Sequence, residues 1–494
     1  MVGTYSIVRD EDTKCFQQKY VYPGVEKWDE IQKQITAFIK TRKYMFNGGW
    51  AIHHFLKSLN KGLIIYDEND ICDTTDFDMF GPSPAEDLIK LGEHLKAKIP
   101  EMTFTVNNGM HPNQYVVLVN FMGLKLVDWI YISPKVYKFV PSITYKDGVT
   151  CLHPRVELLR QYNMLSNLYL IAPDKDFNKA LKRISLLEQY AFEPWIKESN
   201  LWDARKNNTT YKNFVEYPLN KNIKADKTQC IQLQSQLNKE WFSQQKYVAK
   251  LGQAAFLELV GSKKPVSYIG LEYVVHDAVF QKCTGNLIQF LKNICKTHNI
   301  GQERVDLVQY EPFIAVIGPM YNGWLDVKLD DVVLCRLYSL ATPVHMYDMS
   351  SKTSSYFFNM AHMMWRSLYL NYMRQSQEYT FYDAMVATLY KSYVRTPKAK
   401  QFVLNMNKES TLGVIPVRNF YMVSNLLRFQ KIGFFRQVID NKVGEVQKKK
   451  IDANPEYYYK SYEGKIVSRT YLSRCHKKLP DLPYLYQRIV GSKE

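Results

Sequence analysis

The stretch Asp73-Thr74-Thr75-Asp76-Phe77-Asp78-Met79-Phe80 decides how this sequence is interpreted. Acidic and apolar residues alternate from Asp76 onward, and Gly81-Pro82 follows directly, which is the pattern of a short β-strand. Because residues two apart in a strand point to the same face, Asp76 and Asp78 are predicted to converge. Phe77 is predicted to point the other way, into the core.

Two β-rich runs downstream supply a third carboxylate. Residues 115–121 and 124–132 predict a hairpin around Met122-Gly123, and Asp128 lies on its second strand. Carboxylates that share one place repel each other unless a cation lies between them. Since hard oxygen ligands suit Mg²⁺ or Mn²⁺, the three aspartates are predicted to hold two such ions.

A glycine pair upstream supplies the other half of the candidate site. Gly48-Gly49 stands between a predicted helix over 24–45 and a second predicted helix over 50–59. Glycine lets the backbone approach a phosphate closely, and a helix start directs N–H groups and its dipole at an anion. The pair is therefore predicted to bring a triphosphate to the carboxylates. Taken alone, it is more typical of a helix C-cap and turn.

Two other Asp-x-Asp patterns occur in the chain, so this pattern has little weight by itself. Asp10-Glu11-Asp12 and Asp174-Lys175-Asp176 both lie in polar surroundings and are predicted to be solvated. The glycine pair before Asp76, the strand pattern around it and Asp128 after it single out one candidate site.

The composition favours a polyanionic partner. Lysine and arginine number 65 against 48 aspartates and glutamates, which gives a net charge of +17. Such an excess favours nucleic acid first and an anionic membrane second, although a basic soluble protein with neither partner has the same balance. The 36 tyrosines and 25 phenylalanines suit stacking on unpaired bases, but most of them are expected to pack in cores.

Secretory, zinc-binding and transmembrane classes are disfavoured. The eight cysteines include no Cys-x-x-Cys and no paired Cys/His spacing, so reduced and buried thiols are predicted. Residues 1–14 are too charged for a signal peptide, and no apolar run reaches the roughly 18 residues that a membrane helix needs. A cytoplasmic protein without a membrane anchor is therefore expected.

The rest of the chain divides at a polar segment. Helices are predicted over 86–99, 154–166 and 177–190. Residues 202–228 have few large aliphatic side chains and predict a loop or domain boundary. The first domain is therefore assigned to residues 1–200, with a polar linker over 201–228 and a second domain over 229–494.

The second domain resembles the first in the order of its elements. It offers a strand over 268–279, a helix over 286–295, and strands over 312–317 and 325–340 around 318–323. Where the first domain has its Asp-x-Asp, the second offers only His276-Asp277-Ala278-Val279, and Leu334-Cys335-Arg336 stands in place of Asp128. A duplication that lost its metal site explains this order, and coincidence between α/β units is the alternative.

The C-terminal part differs from both. Residues 352–440 are predicted to be mainly helical. From Asn441 to Glu494, twelve lysines and arginines face six aspartates and glutamates, and Lys448-Lys449-Lys450 stands out. An RNA-contacting surface, a subunit contact and a solvated extension all remain open for this tail.

The three central motifs carry a resemblance. Asn47-Gly48-Gly49, Thr75-Asp76-Phe77-Asp78-Met79 and Val127-Asp128 resemble the three elements of the polymerase-β-type nucleotidyltransferase superfamily, over about residues 44–132. The interval between the glycine pair and the Asp-x-Asp departs from the pattern, because it holds an extra loop. Within the superfamily, the chain is most similar to the catalytic poly(A) polymerase of poxviruses and related giant DNA viruses.

This resemblance implies an α/β (α+β) fold. The expected architecture is a nucleotidyltransferase palm-type mixed sheet with helices, a second nucleotidyltransferase-like domain lacking the metal site, and a helical, basic C-terminal part. The implied activity is template-independent addition of AMP from ATP to RNA 3′ ends, with Mg²⁺ or Mn²⁺ as the two metal ions. Asp76, Asp78 and Asp128 are then the catalytic and metal-binding residues, and Gly48 and Gly49 bind the nucleotide.

Further site residues are implied less directly. Family enzymes place basic residues on helices that follow the palm, so Lys182 and Arg183 are candidates for the triphosphate, with an exposed helix face as the alternative. Tyr162 and Asn163 are candidates for contact with the adenine.

Partners and location follow from the resemblance alone. The expected partners are an RNA 3′ end and ATP, with a second copy of the chain or a viral processivity subunit, and no membrane. The expected location is the host cytoplasm, in the viral factory, with the virion as a second place. Rival functions are a CCA-adding or oligoadenylate-making enzyme of the same superfamily, a non-catalytic RNA-binding protein, and a basic membrane-surface protein.

Overall fold

The structure is a computed structural model of the 494-residue chain. It describes residues 28–42, 44–66, 76–82, 84–101, 104–108, 114–119, 125–166, 175–198, 226–260, 270–313, 317–319, 321–340, 344–348, 350–373, 376–395, 411–412, 436–438, 463–476 and 478–482. The chain forms two compact units. The first comprises residues 1–157, 422–461 and 489–494, and the second comprises residues 158–421 and 462–488.

Helices and strands alternate along most of the chain. The α-helices are α1 (Trp28–Lys40), α2 (Gly48–Ser58), α3 (Pro84–Lys98), α4 (Pro134–Tyr137), α5 (Pro154–Ser166), α6 (Lys175–Leu187), α7 (Glu193–Glu198), α8 (Lys227–Gln236), α9 (Gly252–Leu259), α10 (Asp277–Thr297), α11 (Tyr356–Tyr372) and α12 (Ser376–Arg395). A π-helical turn follows α6 (Glu188–Phe192) and another follows α8 (Leu237–Phe242), and 3₁₀ turns lie at Gln302–Arg304 and Leu472–Arg474.

The strands form one sheet in each unit. They are β1 (Met45–Phe46), β2 (Phe77–Gly81), β3 (Phe104–Asn108), β4 (Gln114–Val119), β5 (Lys125–Tyr131), β6 (Ser142–Thr144), β7 (Thr150–Leu152), β8 (Val248–Leu251), β9 (Leu271–His276), β10 (Val305–Tyr310), β11 (Tyr321–Leu329), β12 (Val332–Leu340), β13 (Val344–Asp348), β14 (Thr353–Ser354), β15 (Thr411–Leu412), β16 (Arg436–Val438) and β17 (Ile466–Tyr471). This mixed α/β architecture is the predicted fold class.

The core of the first unit explains why its helices lie where they do. Ile31, Ile35 and Ile39 recur at helical spacing on α1, and all three are buried in one apolar cluster with residues of α3, β2, β3 and β5. At Gly81, the end of β2, a Cβ atom would lie 2.6 Å from the Trp129 indole. Glycine is therefore required there for the strands and their side chains to pack this closely.

The two sheets have the same strand order. The first runs β16-β3-β4-β5-β2-β1-β7-β6, and the second runs β17-β10-β11-β12-β9-β8-β14-β13, with β15 added at its end. Parallel pairs fall at matching places, β2 with β5 and β1 with β7 in the first sheet, and β9 with β12 and β8 with β14 in the second. The remaining pairs in both orders are antiparallel. This agreement favours duplication over coincidence.

The first hairpin is confirmed and the second is placed differently. Strands β4 and β5 pair antiparallel, as residues 115–121 and 124–132 predicted. In the second unit, the turn predicted over 318–323 is wrong, because β11 and β12 meet at Asp330 and Asp331. Both residues have positive φ (45° and 69°), as a two-residue hairpin turn of type I′ requires. Aspartate tolerates this conformation better than most residues, which is the signal that the prediction missed.

The unit boundaries differ from the domain boundaries assigned from sequence. The division at residue 157 falls inside α5, so residues 158–198 group with the second unit, and β16 returns to the first. The predicted polar linker, 201–228, lies outside the described residues except for its last three. Most of the basic tail before residue 463 also lies outside them.

The cysteines and the helix composition bear on the secretory, zinc-binding and transmembrane classes that the sequence disfavours. The six cysteines of the described residues are free and buried, and burial raises the pKa of Cys230, Cys283 and Cys295 to about 11. They are therefore unreactive thiols at neutral pH, as predicted. No helix in the described part of the chain combines the length and the apolar composition needed to cross a membrane.

Candidate metal and nucleotide site

Three carboxylates converge at the amino end of β2 in the first sheet. Strands β2 and β5 pair in parallel, and their register sets Asp78 directly beside Asp128. Asp76 lies just before β2, two residues from Asp78. One carboxylate oxygen of each aspartate lies within 4.8 Å of the other two. The structure thus brings together the three residues that the sequence singled out.

The alternation of the sequence produces this convergence. Phe77 and Met79 are 2% and 0% exposed and belong to the apolar core, while Asp78 between them is half-buried. The Phe77 ring stacks on the Trp50 indole of α2, with 4.9 Å between ring centroids. Burial of the two apolar side chains on one face leaves Asp76 and Asp78 on the other.

The donor set suits a divalent cation. Asp76 and Asp78 are half-buried, and Asp128 is 7% exposed, so the three negative charges repel each other in partly desolvated surroundings. Three carboxylates at this spacing match the hard oxygen ligands that Mg²⁺ and Mn²⁺ prefer. Among the described residues, this is the one cluster of three such groups close enough to share an ion.

The glycine pair begins the helix rather than preceding it. Helix α2 starts at Gly48, whereas the sequence predicted a start near Trp50. Gly48 has φ +65°, and a Cβ atom there would collide with the Asp78 carboxylate. Gly48 is therefore required for a close approach between the helix start and a site carboxylate. That requirement is separate from any contact with a phosphate.

Glu157 is a site residue that the sequence did not reveal. Its Oε1 accepts a hydrogen bond from Gly48 N–H at 2.8 Å, and its side chain is fully buried. It lies on α5, between the buried residues Val156 and Leu158. An acidic residue in the apolar stretch of a predicted helix was the signal available, because a buried carboxylate needs a specific partner.

The histidines after the glycine pair support the fold. His53 is 1% exposed, and its Nδ1 lies 3.4 and 3.3 Å from the backbone N–H groups of Ile65 and Tyr66, from which it accepts. His54 stacks on Phe46 and Tyr145, with centroid distances of 6.3 and 6.0 Å. Both histidines therefore pack and hold the chain after α2.

The other nucleotide-binding candidates all belong to the second unit. Lys182 is exposed and Arg183 is 8% exposed, on α6. Tyr162 is fully buried, where its hydroxyl donates to Glu188 Oε1 at 2.7 Å. Asn163 donates to the Gly318 carbonyl at 3.0 Å. All four residues therefore stay predictions, although Tyr162 is fully buried.

Each position of the site has a counterpart in the second unit, found through the glycine that begins a helix. Gly252 begins α9 with φ +49°, as Gly48 begins α2. A Cβ atom on Gly252 would collide with the Glu272 carboxylate, as one on Gly48 would collide with Asp78. Glu272 on β9 therefore holds the position of Asp78 on β2.

Strand register supplies the other two counterparts. The pairing of β9 with β12 sets Glu272 beside Arg336, just as β2 and β5 set Asp78 beside Asp128. Gly270 precedes Glu272 by two residues. The counterparts of Asp76, Asp78 and Asp128 are Gly270, Glu272 and Arg336.

This register corrects the alignment made from sequence. His276-Asp277 was placed opposite the Asp-x-Asp, several residues too late, because order alone does not specify which residues pair across strands. His276 instead ends β9 and Asp277 begins α10. The second unit also retains a carboxylate, Glu272, where none was expected. The assignment of 334–336 to the position of Asp128 is confirmed.

Comparison with known proteins agrees with the geometry of the first unit. Residues 33–170 match the family model described as "Poly(A) polymerase catalytic subunit". This segment contains Gly48, Gly49 and all three aspartates of the site. The resemblance to the catalytic poly(A) polymerases of large DNA viruses is therefore confirmed over this part of the chain.

Individual relatives cover similar segments. A protein of African swine fever virus (strain Badajoz 1971 Vero-adapted), provisionally named a poly(A) polymerase catalytic subunit, is 27% identical over 175 residues, 35% of each chain. A protein of Acanthamoeba polyphaga mimivirus with the same provisional name is 26% identical over 196 residues, 40% of this chain and 32% of its own. The chain thus matches about a third of the length of these relatives.

A solved structure extends the likeness to the fold of nearly the whole chain. The crystal structure of the Megavirus polyadenylate synthase superposes with a TM-score of 0.70, covering 93% of this chain and 89% of that one, at 16% sequence identity. The chain therefore shares the fold of that protein over nearly its whole length.

Proposed function

We propose that this protein is a template-independent polynucleotide adenylyltransferase that adds AMP from ATP to RNA 3′ ends. The observation that carries the proposal is the convergence of Asp76, Asp78 and Asp128 within 4.8 Å, inside the segment that matches a poly(A) polymerase family model. The net charge of +17 supports a polyanionic acceptor.

The reaction follows from the donor set. Asp76, Asp78 and Asp128 would hold two Mg²⁺ or Mn²⁺ ions, which activate the RNA 3′-hydroxyl and offset charge on the departing diphosphate. The hydroxyl attacks the α-phosphorus of ATP in line, forming the new P–O bond as the bond to diphosphate breaks. We assign the proton of the hydroxyl to Asp128, the most buried of the three carboxylates.

The glycine pair divides its work. The N–H of Gly48 donates to Glu157, and the absence of a side chain at Gly48 leaves room for the Asp78 carboxylate. We therefore assign the contact with the nucleotide to Gly49 and the positive end of the α2 dipole. We retain Lys182 and Arg183 as candidates for the triphosphate. Replacement of Lys182 by glutamine then raises the KM for ATP several-fold and leaves kcat nearly unchanged, because it removes charge from binding alone.

RNA and ATP are the proposed substrates, and a homodimer or a viral processivity subunit is the proposed assembly. The proposed location is the cytoplasmic viral factory of an infected cell, with the virion as a second place. Sedimentation of the purified chain, alone and with RNA, measures the assembly directly.

One assay tests the function. The purified chain is incubated with a short RNA that has a free 3′-hydroxyl, with Mg²⁺ or Mn²⁺, and with each nucleoside triphosphate separately. The products are then sized on a gel. Long tails with ATP alone support the proposal. Addition limited to a few C and A residues indicates a CCA-adding enzyme, products without RNA indicate an oligoadenylate-making enzyme, and no product with any nucleotide contradicts catalysis.

A further inference from the structure

The edge of the first sheet that carries the candidate site also carries the start of α5. Four neighbouring strands run in the order β5-β2-β1-β7, with β1 antiparallel to β2 and parallel to β7. The amino end of β2, where Asp76 and Asp78 lie, is therefore on the same edge as the carboxyl ends of β1 and β7. Helix α2 follows β1, and α5 follows β7. Both helices thus begin on the edge of the sheet that carries the aspartates.

Two hydrogen bonds link the elements along this edge. Asn47 N–H, just before α2, donates to the Asp78 carbonyl at 2.9 Å. Gly48 N–H, at the start of α2, donates to Oε1 of Glu157, the fourth residue of α5, at 2.8 Å. Because neighbouring strands lie about 4.8 Å apart, the end of β7 lies roughly 10 Å from the end of β2. The start of α5 is therefore within the span of a ligand that begins at the aspartates.

A capping histidine and an arginine stand at the start of α5. His153 precedes the helix, and its Nδ1 accepts a hydrogen bond from Arg155 N–H at 3.2 Å, so Nε2 carries the proton. Burial and, to a lesser extent, the charge of Arg155 lower the pKa of His153 to about 4, so the ring is neutral at neutral pH. Both side chains are partly exposed. A permanently charged guanidinium, next to a neutral cap, thus lies at this edge.

The second unit has an apolar side chain where the first has this cation. The residue that accepts from the helix-starting glycine gives the alignment, and it is Glu157 on α5 and Asn359 on α11. Two residues before each acceptor stand Arg155 and Phe357, respectively. Phe357 is 3% exposed. The shared backbone thus accepts a buried ring at this position, and the cation belongs to the unit that carries the three aspartates.

The proposed ATP site supplies a ligand for this cation. The α-phosphorus must lie at the three aspartates, and Gly49 with the start of α2 is assigned to the phosphates that follow. These two assignments direct the triphosphate from β2 across β1, and the next element along the edge is the start of α5. An arginine there can meet the terminal phosphate with a planar fork of N–H donors.

We propose that Arg155 binds the γ-phosphate of ATP, and that His153 is a positioning residue that holds the start of α5 for this contact. The inference rests on the proposed function, because it takes ATP as the nucleotide. The three carboxylates then lie at the α-phosphate, Gly49 lies along the middle of the triphosphate, and Arg155 lies at its end. The contact favours a nucleoside triphosphate over a diphosphate. When AMP is transferred, the same contact holds the departing diphosphate, which contains the γ-phosphate.

Equilibrium binding to the full-length chain tests the contact without any transfer of AMP. Isothermal titration calorimetry in Mg²⁺ compares α,β-methylene ATP with α,β-methylene ADP, which lacks the γ-phosphate. Arg155→Gln is expected to weaken binding of the triphosphate about tenfold or more, because a charge-assisted contact is lost. Binding of the diphosphate is expected to weaken by less than about twofold, since it has no such contact to lose.

Lys135→Gln is the matched control. Lys135 follows Pro134 at the start of α4, just as Arg155 follows Pro154 at the start of α5. Helix α4, however, follows the carboxyl end of β5, which runs parallel to β2, so it lies on the opposite edge of the sheet. Because an exposed charge at that distance is largely screened, both dissociation constants are expected to change by less than about twofold.

Two variants of His153 test the positioning role. His153→Leu removes the acceptor of the Arg155 N–H and is expected to reduce the preference for triphosphate over diphosphate about threefold. His153→Asn is expected to restore that preference, because asparagine also accepts hydrogen bonds at a helix start. Equal preference in the leucine and asparagine variants would contradict positioning by the cap.

The outcomes separate this inference from the proposed function. A triphosphate dissociation constant for Arg155→Gln equal to that for Lys135→Gln overturns the inference and leaves the proposed function standing. Equal weakening of both nucleotides also overturns it, because the γ-phosphate is then not the group contacted. If circular dichroism shows that Arg155→Gln is unfolded, Arg155→Lys replaces it and is expected to weaken the triphosphate about threefold more than the diphosphate. Absence of binding of either nucleotide to the unaltered chain contradicts the proposed function, and the inference with it.

Discussion

In the first unit Asp78 lies beside Asp128, whereas in the second Glu272 lies beside Arg336 at the same place in a sheet of the same strand order. A buried carboxylate needs a nearby positive charge, and the two arrangements differ in whether the chain itself supplies it. The first arrangement leaves that requirement open and can bind an ion, which makes it chemically useful. The second satisfies it within the chain, which favours stability.

The glycine that begins the helix sharpens this comparison. Gly48 and Gly252 both have positive φ and lie against a carboxylate, and both donate their N–H to the fourth residue of a later helix. That residue is Glu157 in the first unit and Asn359 in the second, at 2.8 and 2.9 Å. The backbone geometry is thus shared by the two units, and only the charges differ.

The largest expected effect comes from removing a site carboxylate. Asp76→Asn or Asp78→Asn is expected to lower AMP addition roughly a thousandfold or more, because loss of a metal ligand removes several kcal/mol of transition-state stabilisation. The fold is expected to stay intact, as circular dichroism can verify. Asp147→Asn is the control, since Asp147 is an exposed acid of the same unit. AMP addition retained in either site variant would contradict the assignment of Asp76 and Asp78 as metal ligands.

Replacing each of the two glycines by alanine distinguishes an effect on activity from an effect on stability. Gly48→Ala is expected to lower kcat about a hundredfold, since its methyl group displaces the Asp78 carboxylate and a shift of about 1 Å can cost that much. Gly252→Ala, which meets Glu272 in the same way, is expected to lower the unfolding midpoint more than it lowers kcat. Equal losses of kcat in the two variants would contradict different roles for the two units.

Glu157 is expected to act as a positioning residue. Glu157→Gln keeps an oxygen that accepts from Gly48 N–H, so kcat is expected to fall no more than about threefold. Glu157→Leu leaves that buried N–H without an acceptor and is expected to lower kcat about tenfold and stability by about 1–3 kcal/mol. The steady-state split between kcat and KM for ATP checks this. A purely structural role would give equal kcat for the folded fractions of both variants.

The smallest expected effect is on stability in acid. Burial lowers the pKa of His362 below its usual 6.5, so under about pH 6.5 the unfolded chain takes up a proton that the folded chain does not. Stability contributed by this residue is therefore present above pH 6.5 and lost as the pH falls, with a slope approaching about 1.4 kcal/mol per pH unit. Unfolding midpoints from pH 7 to pH 5 measure the slope, and His362→Gln is expected to flatten it.

Glu272 contributes in the same direction at lower pH. Burial alone would raise its pKa, but the charge that His362 carries once protonated, the hydrogen bond from His362, and the charges of Arg336 and Arg366 lower the pKa from 4.5 to about 2. Its contribution is present above about pH 4.5 and is lost as the pH falls towards 2. A slope between pH 4.5 and pH 3 that Glu272→Gln leaves unchanged would argue against this charge balance.

Local periodicity predicted the first site well. Alternation around Phe77 correctly set Asp76 and Asp78 on one face, and the two β-rich runs correctly predicted a pair of antiparallel strands, the second of which carries Asp128. The turn predicted at Met122-Gly123 lies outside the described residues. These features depend on neighbours in sequence. The three aspartates could therefore be assigned to one site before the fold was known.

Features that depend on pairing across strands were not predictable in the same way. Glu272 has no acidic neighbour two residues away, so nothing local marks it as the counterpart of Asp78. Its role appears only through strand register and through contacts with residues as distant as Tyr382. Glu157 was missed for the same reason, because its partner is a backbone N–H more than a hundred residues away.

Strand β16 is synthesised more than three hundred residues after β3, the strand with which it pairs. Val438 of β16 pairs with Thr105 of β3 at the edge of the first sheet, so the sheet that begins near the amino terminus is completed by residues made late in translation. The second sheet closes later still, through β17. A ribosome-bound chain thus exposes the open edge of β3 until nearly the whole protein has emerged. Fragments cut after residue 200 would keep that edge permanently, so the part of the chain that carries the three aspartates is not expected to be obtained as a soluble, contiguous amino-terminal fragment.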